Sequence, residues 1–92
     1  MFYTSLQNVI EVASIAGSDQ IANLMSGSIY VHKQAVELKN KFLVISSPKV
    51  KGTDNKLFYV VHSVDSYGNV KCETGMKRLG SLERALSYCQ NI

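Results

Sequence analysis

Apolar residues recur at three- and four-residue spacing near the start of the chain and predict an amphipathic helix over residues 2–16. Val12 and Ile15 fall outside the narrow stripe, so the apolar face of this helix is wide. Gly17-Ser18-Asp19 is a helix break with capping residues, and a second short helix is predicted over residues 20–25. A single kinked helix is the alternative. The stripe consists of Phe2, Leu6, Val9, Ala13 and Ala16.

The pattern over residues 28–40 is compatible with two kinds of structure. A strand is indicated by the alternation of apolar and polar residues that begins at Val36 and runs on into residues 41–47. We favour this strand, preceded by a short strand at residues 29–33, and keep a helix as the alternative. The residues that fit helical spacing are Val31, Ala35 and Leu38.

The second half of the chain carries clear strand patterns. Residues 41–47 form an apolar run of strand length, and residues 57–64 are rich in aromatic and β-branched side chains. After the turn residues at 65–69, apolar and polar residues alternate over 70–76, as in a strand with one buried face. Strands joined by such turns are antiparallel neighbours. The segment 57–64 is apolar on both faces, so we expect it to lie centrally.

A short helix is predicted at the end of the chain, with Ser81 as its N-cap and Glu83 in its first turn. The chain is therefore predicted to be one α+β domain over residues 1–92. We expect an N-terminal helix, straight or kinked, then an antiparallel meander of three or four strands, then a C-terminal helix. Both helices are expected to cover the same face of the sheet. The apolar stripe of the last helix is Leu82, Ala85, Leu86 and Cys89.

Composition supports a folded domain. A chain of 92 residues has room for one core, and 46% hydrophobic with 18% charged residues is ordinary for a globular protein. No apolar run approaches the roughly 18–20 residues of a membrane span, and the N-terminus lacks the pattern of a signal peptide. We expect a complete, cytoplasmic protein with no membrane partner. Cys72 and Cys89 form no CxxC motif and are expected to be reduced, buried thiols.

No motif for catalysis, a metal or a cofactor emerges. His32 and His62 are the only histidines, and no neighbouring group completes a catalytic arrangement around either of them. The two histidines and two cysteines lack the spacing of a metal site. The glycines form neither a dinucleotide-binding nor a P-loop pattern, and no pair of carboxylates is close in sequence. We therefore predict a protein that is not an enzyme and holds no cofactor.

The positive charge is unevenly placed. Net charge is +3, yet residues 1–32 contain no Lys or Arg. Cations cluster in the loop 47–56 and just before the last helix, where they could hold a phosphate backbone. Lysines at a hairpin tip also keep sheet edges soluble, and the turn residues around Asp54 explain the loop without a ligand. We favour the solvated tip. The cationic candidates are Lys49, Lys51, Lys56, Lys77 and Arg78.

Three further residues are candidates for contact with a protein. Tyr67 lies at a turn between small polar residues, and exposed tyrosines suit protein interfaces. Val12 and Ile15 indicate a homodimer or a partner-binding face on the N-terminal helix. Our leading hypothesis is a small protein that binds and regulates or inhibits another macromolecule, as accessory proteins of phages and mobile elements do to host defence machinery. The alternative is a nucleic-acid-binding domain that uses the five cationic candidates.

Overall fold

The computed structural model describes residues 2–26, 29–48, 58–74 and 78–91. The α+β class and the order of helix, antiparallel sheet and helix are confirmed, although the described residues form six strands rather than three or four. None of the described helices is long and apolar enough to cross a membrane. In chain order the elements are β1 (Phe2–Ser5), α1 (Leu6–Ile15), α2 (Gln20–Met25), β2 (Ile29–Val31), β3 (Gln34–Glu37), β4 (Lys41–Pro48), β5 (Val60–Asp65), β6 (Val70–Cys72) and α3 (Leu82–Gln90).

The sheet is antiparallel throughout and has the order β1-β3-β4-β5-β6, with β2 paired to the far end of β4. The strand predicted to be central corresponds to β5, which is internal, between β4 and β6. β2 and β3 both lie along β4. Val31 pairs with Ser46 and Val36 pairs with Leu43. The chain therefore advances five residues from β2 to β3 while β4 advances three. The two extra residues separate β2 from β3 as a bulge does.

The chain starts with a strand that the helical pattern concealed. Helix α1 begins at Leu6, so the prediction of helix from Phe2 onward was wrong. The residues of β1 are aromatic or β-branched up to Ser5, a composition that favours strands. Ser5 is extended and its Oγ accepts a hydrogen bond from the Asn8 backbone N–H at 3.1 Å, so Ser5 is the N-cap. The predicted break after α1 is confirmed.

Residues 28–40 contain strands, and the helical alternative was wrong. The prediction of one strand running from Val36 through β4 was also wrong. The backbone N–H of Leu38 donates to the Lys41 carbonyl at 2.8 Å and closes a turn between β3 and β4. As a result, Val36 packs into the core next to α3, whereas Phe42 packs into the core on the opposite face of the sheet.

The helices cover both faces of the sheet, so the expectation that they share one face was wrong. Strand β4 is apolar at consecutive positions, and successive side chains of a strand point to opposite faces. Both faces of β4 must therefore be covered, by α1 and α2 on one side and by α3 on the other. The core next to α1 and α2 contains Leu6, Val9, Ala13, Ile21, Ala35, Val44 and Val64. The core next to α3 contains Val36, Leu43, Ile45, Val61, Leu79, Ala85 and Cys89.

The two cysteines differ in exposure. Cys89 is buried as expected, and burial raises its pKa to about 11. Cys72 is exposed, so the expectation of burial was wrong. Cys72 ends the edge strand β6, opposite His62 and on the face that carries α1 and α2, whereas Cys89 lies on the face that carries α3. The sheet therefore separates the two thiols.

Candidate partner-binding surface

The structure describes four of the eight predicted contact residues. Val12, Ile15 and Tyr67 lie at one end of the molecule, where α1 ends and β6 begins. Arg78 precedes α3 and belongs to a different region. The predictions for Lys49, Lys51, Lys56 and Lys77 lie outside the described residues.

A carboxylate determines the shape of the turn that carries Tyr67. Asp65 Oδ1 accepts the backbone N–H groups of Tyr67 and Asn69, each at 2.9 Å, and Oδ2 accepts from the Asn69 side chain at 3.2 Å. These bonds favour the ionised carboxyl group, and the backbone N–H of Asn69 contributes most to lowering the pKa of Asp65. Tyr67 is held pointing outward, with 75% of its surface exposed.

The same turn is fastened to the end of α1. Ser18 Oγ donates to the Gly68 carbonyl at 2.8 Å, and the Gln20 side chain donates to Asn69 Oδ1 at 2.9 Å. Gly68 has φ of +80°, and an added Cβ would lie 2.4 Å from the Ser18 Cβ and 3.3 Å from the Ala13 Cα. Only glycine permits both this conformation and this close approach. The turn and the end of α1 therefore form one rigid support.

A hollow of about 280 Å³ lies next to this support. Val12 is half-buried and lines it together with Ser66 and the turn between β3 and β4, including Leu38. Ile15, in the last turn of α1, has 88% of its surface exposed. We call this end of the molecule the turn surface and define it by Val12, Ile15, Leu38, Ser66 and Tyr67.

The charges around the turn surface are of mixed sign. Glu11 and Glu37 are exposed on α1 and β3, and Lys39 is exposed in the turn after β3. Lys41, which also lines the hollow, forms an ion pair with Glu73 at 3.4 Å. An apolar patch with charges of both signs around it resembles a protein interface. A phosphate backbone would instead require a concentration of cations.

Arg78 belongs to a second region, which we call the arginine groove and define by Arg78 and Arg84. The guanidinium carbon of Arg78 lies 4.9 Å from the centroid of the Phe58 ring, within cation–π range. Both arginines line one shallow hollow with Tyr88 of α3. Leu79 pairs with Tyr59 just before β5, so the groove lies at the end of β5 away from the turn surface.

Sequence reasoning missed a serine–histidine pair. Ser46 Oγ lies 2.8 Å from His62 Nε2, and burial lowers the pKa of His62, which favours the neutral ring. Strand pairing joins these residues across 16 positions, so no local motif reveals them. Hydrolytic catalysis would also require a group that orients the ring, and no described side chain bonds its second nitrogen. Among the described residues, no three His, Cys, Asp or Glu side chains converge as metal ligands.

Comparisons of the chain with protein-family models, with curated proteins and with solved structures find no match.

Proposed function

We propose that this chain is a non-enzymatic protein that binds another protein through the turn surface and thereby regulates or inhibits it. The observation that carries the proposal is that two highly exposed apolar side chains, Ile15 and Tyr67, belong to two segments that the bond between Ser18 and Gly68 joins. The neighbours of these side chains, Val12 and Ser66, line one hollow. Large apolar groups that lie together in solvent mark interaction sites more often than single exposed ones do. A tyrosine and an aliphatic anchor next to a concavity match the composition of binding hot spots.

The rigidity of the support adds to the proposal. The turn that carries Tyr67 is held by the Asp65 carboxylate and by the Ser18 hydroxyl, so its backbone has little freedom to lose on binding. A surface that is already ordered keeps more of its contact energy as affinity. The two anchors therefore need no local folding step before they engage a partner.

The proposal includes a setting. Small regulators and inhibitors of this kind include accessory proteins of phages and mobile elements that act on host defence machinery. We place the chain in the cytoplasm, where thiols stay reduced. Two thiols held on opposite faces of the sheet support this placement, since they are not disposed to form a disulfide within one chain.

Photo-crosslinking tests the proposal. A benzoylphenylalanine replaces Tyr67, and a matched variant carries it at the exposed Glu83 on α3, which lines neither the hollow of the turn surface nor that of the arginine groove. After irradiation in lysate of the source cell, we expect one defined protein adduct from position 67 that survives nuclease treatment and is lost with Ile15→Glu. Met25→Glu, which places the same charge on an apolar residue of α2 that is 36% exposed, should leave the adduct intact. Equal adducts from positions 67 and 83 would contradict the proposal.

Nucleic-acid binding is the second candidate function, and the arginine groove is the observation that favours it. Arg78 and Arg84 line the same hollow, and stacking on Phe58 holds Arg78 in place. Arginines held in this way are suited to phosphate oxygens. In the crosslinking experiment, a partner that disappears on nuclease treatment would favour this function over protein binding.

A further inference from the structure

Among the described residues, the two arginines of the arginine groove have no carboxylate to pair with. Arg78 and Arg84 line one hollow of about 340 Å³, and none of the described residues around it is acidic. One ion pair forms in the described part of the chain, between Lys41 and Glu73, and it involves neither arginine. Two guanidinium groups at one hollow repel each other, so an anion bound between them relieves that repulsion and accepts charge-assisted hydrogen bonds.

The two guanidinium groups lie near the same short segment before α3. The guanidinium carbon of Arg78 is 4.9 Å from the centroid of the Phe58 ring, and this stacking holds the planar group in place. Arg84 reaches back beyond the start of α3, since its Nη1 would lie 4.0 Å from a Cβ added at Gly80. Each guanidinium carries a fork of N–H donors, so the groove is suited to an anion with several acceptor oxygens.

The charge of the groove fits a phosphate monoester better than a nucleic-acid backbone. A phosphorylated side chain carries nearly two negative charges at neutral pH and three acceptor oxygens, which matches two arginines at one hollow. A nucleic-acid backbone distributes one charge per phosphate and is held by cations along a track. Residues 85–92 contain no Lys or Arg, so α3 does not continue the positive charge beyond Arg84.

We propose that the arginine groove binds the phosphate group of a phosphorylated side chain on a protein partner. The inference rests on the proposed function in one respect, that the partner is a protein. It adds a contact distinct from the turn surface, because the groove lies at the other end of β5. Phosphorylation of the partner then decides whether this second contact forms.

Nuclear magnetic resonance titration tests the class of ligand. The probes are N-acetyl-phosphoserine N-methylamide, a monoester, and dimethyl phosphate, which carries the diester of a nucleic-acid backbone. At pH 7 the monoester should shift the Nε–Hε signals of Arg78 and Arg84 with a dissociation constant of about 1 mM, which two charge-assisted contacts can supply. Dimethyl phosphate has less charge and should bind about tenfold more weakly. Equal affinities would favour nucleic acid and overturn the proposal, as would unshifted arginine signals at about 20 mM monoester.

Substitutions test whether the two arginines form one site. Arg78→Gln and Arg84→Gln should each weaken monoester binding about tenfold, the effect of one charge-assisted contact. Lys33→Gln is the matched control, because it removes the same charge from an exposed residue outside the groove, and it should bind like the wild type. Arg78→Lys keeps the charge but loses the planar group on Phe58, so it should also bind more weakly. Equal weakening by all three glutamine variants would indicate diffuse attraction and refute a defined site.

Failure of this proposal and failure of the proposed function give different results. The titrations use small phosphates alone, so they depend neither on the turn surface nor on a captured partner. If the groove binds no monoester, the crosslink from position 67 is still expected. If that crosslink is absent, the titrations still report whether the groove binds a phosphate monoester.

Discussion

Gly68→Ala should be among the most destabilising single substitutions outside the core. Gly68 adopts φ of +80°, where an alanine carries a strain of about 1 kcal/mol. The new Cβ would also lie 2.4 Å from the Ser18 Cβ and 3.3 Å from the Ala13 backbone. Neither neighbour has a flexible end that can swing away, so the turn or the end of α1 must move.

The chain supplies a matched control for this substitution. Gly17 has nearly the same backbone angle, φ of +81°, but an added Cβ there meets nothing within 4 Å. Gly17→Ala should therefore cost only the strain, about 1 kcal/mol. Gly68→Ala adds overpacking of about 2 kcal/mol, for a total of about 3 kcal/mol. For a domain of this size, these losses correspond to melting points lowered by about 5 °C and about 15 °C.

Urea unfolding followed by circular dichroism measures the difference between the two variants. The free energy of unfolding should fall by about 2 kcal/mol more in Gly68→Ala than in Gly17→Ala, at equal dependence on urea. Crosslinking from position 67 should also decrease in Gly68→Ala, since the turn that carries Tyr67 has shifted. If both variants lose the same free energy of unfolding, the turn and the end of α1 are not in close contact. The turn surface would then lack the rigid support proposed for it.

Three other predictions concern separate residues. Because the pKa of Asp65 is lowered in the folded state, its contribution to stability is present at neutral pH and is lost as pH falls through that lowered value. Asp65→Asn should therefore reduce the free energy of unfolding at neutral pH, and this free energy should decline less in acid than that of the wild type, as measured by urea unfolding. Ellman's reagent should react quickly with Cys72 and only after denaturation with Cys89, and equal rates in the native protein would contradict the packing of α3. If the arginine groove binds duplex DNA, the logarithm of the binding constant falls linearly with the logarithm of the salt concentration. Replacing Arg78 and Arg84 by Ala should reduce the magnitude of that slope by about two units, and an unchanged slope would exclude phosphate contacts there.

Local features of the fold were predictable because they depend on neighbouring residues. Ser81 caps α3 by accepting the Arg84 backbone N–H at 3.2 Å, as expected from its place before an apolar stripe. The turn at 65–69 follows from a cluster of turn-forming residues. The strand pattern of β5 was clear for the same reason, since β-branched side chains adjoin one another there.

Tertiary features were not predictable from local pattern. The division of the helices between two faces depends on β4, whose consecutive apolar residues need cover on both sides. The periodicity of each helix says nothing about which face it covers. β1 escaped detection because Phe2 has helical spacing from Leu6, while pairing with β3 holds it extended. Long-range pairing decided the structure in both cases.

The candidate surface was predictable residue by residue but not as a unit. Ile15 was selected for lying outside an apolar stripe and Tyr67 for its place in a turn, from two unrelated segments. These two segments are joined by the bond between Ser18 and Gly68, which lie 50 positions apart. Local periodicity in the sequence does not predict a contact over that separation, so the surface could be identified only from the folded structure.

The affinity of the captured protein partner for three variants tests the central claim most directly. Ile15→Glu and Tyr67→Ala each remove an anchor of the turn surface, and Met25→Glu alters an exposed apolar residue elsewhere. With melting points unchanged, Ile15→Glu and Tyr67→Ala should each weaken binding at least about thirtyfold, the effect of a hot-spot residue. Met25→Glu should bind like the wild type. Equal affinities for all three variants would show that the partner binds elsewhere.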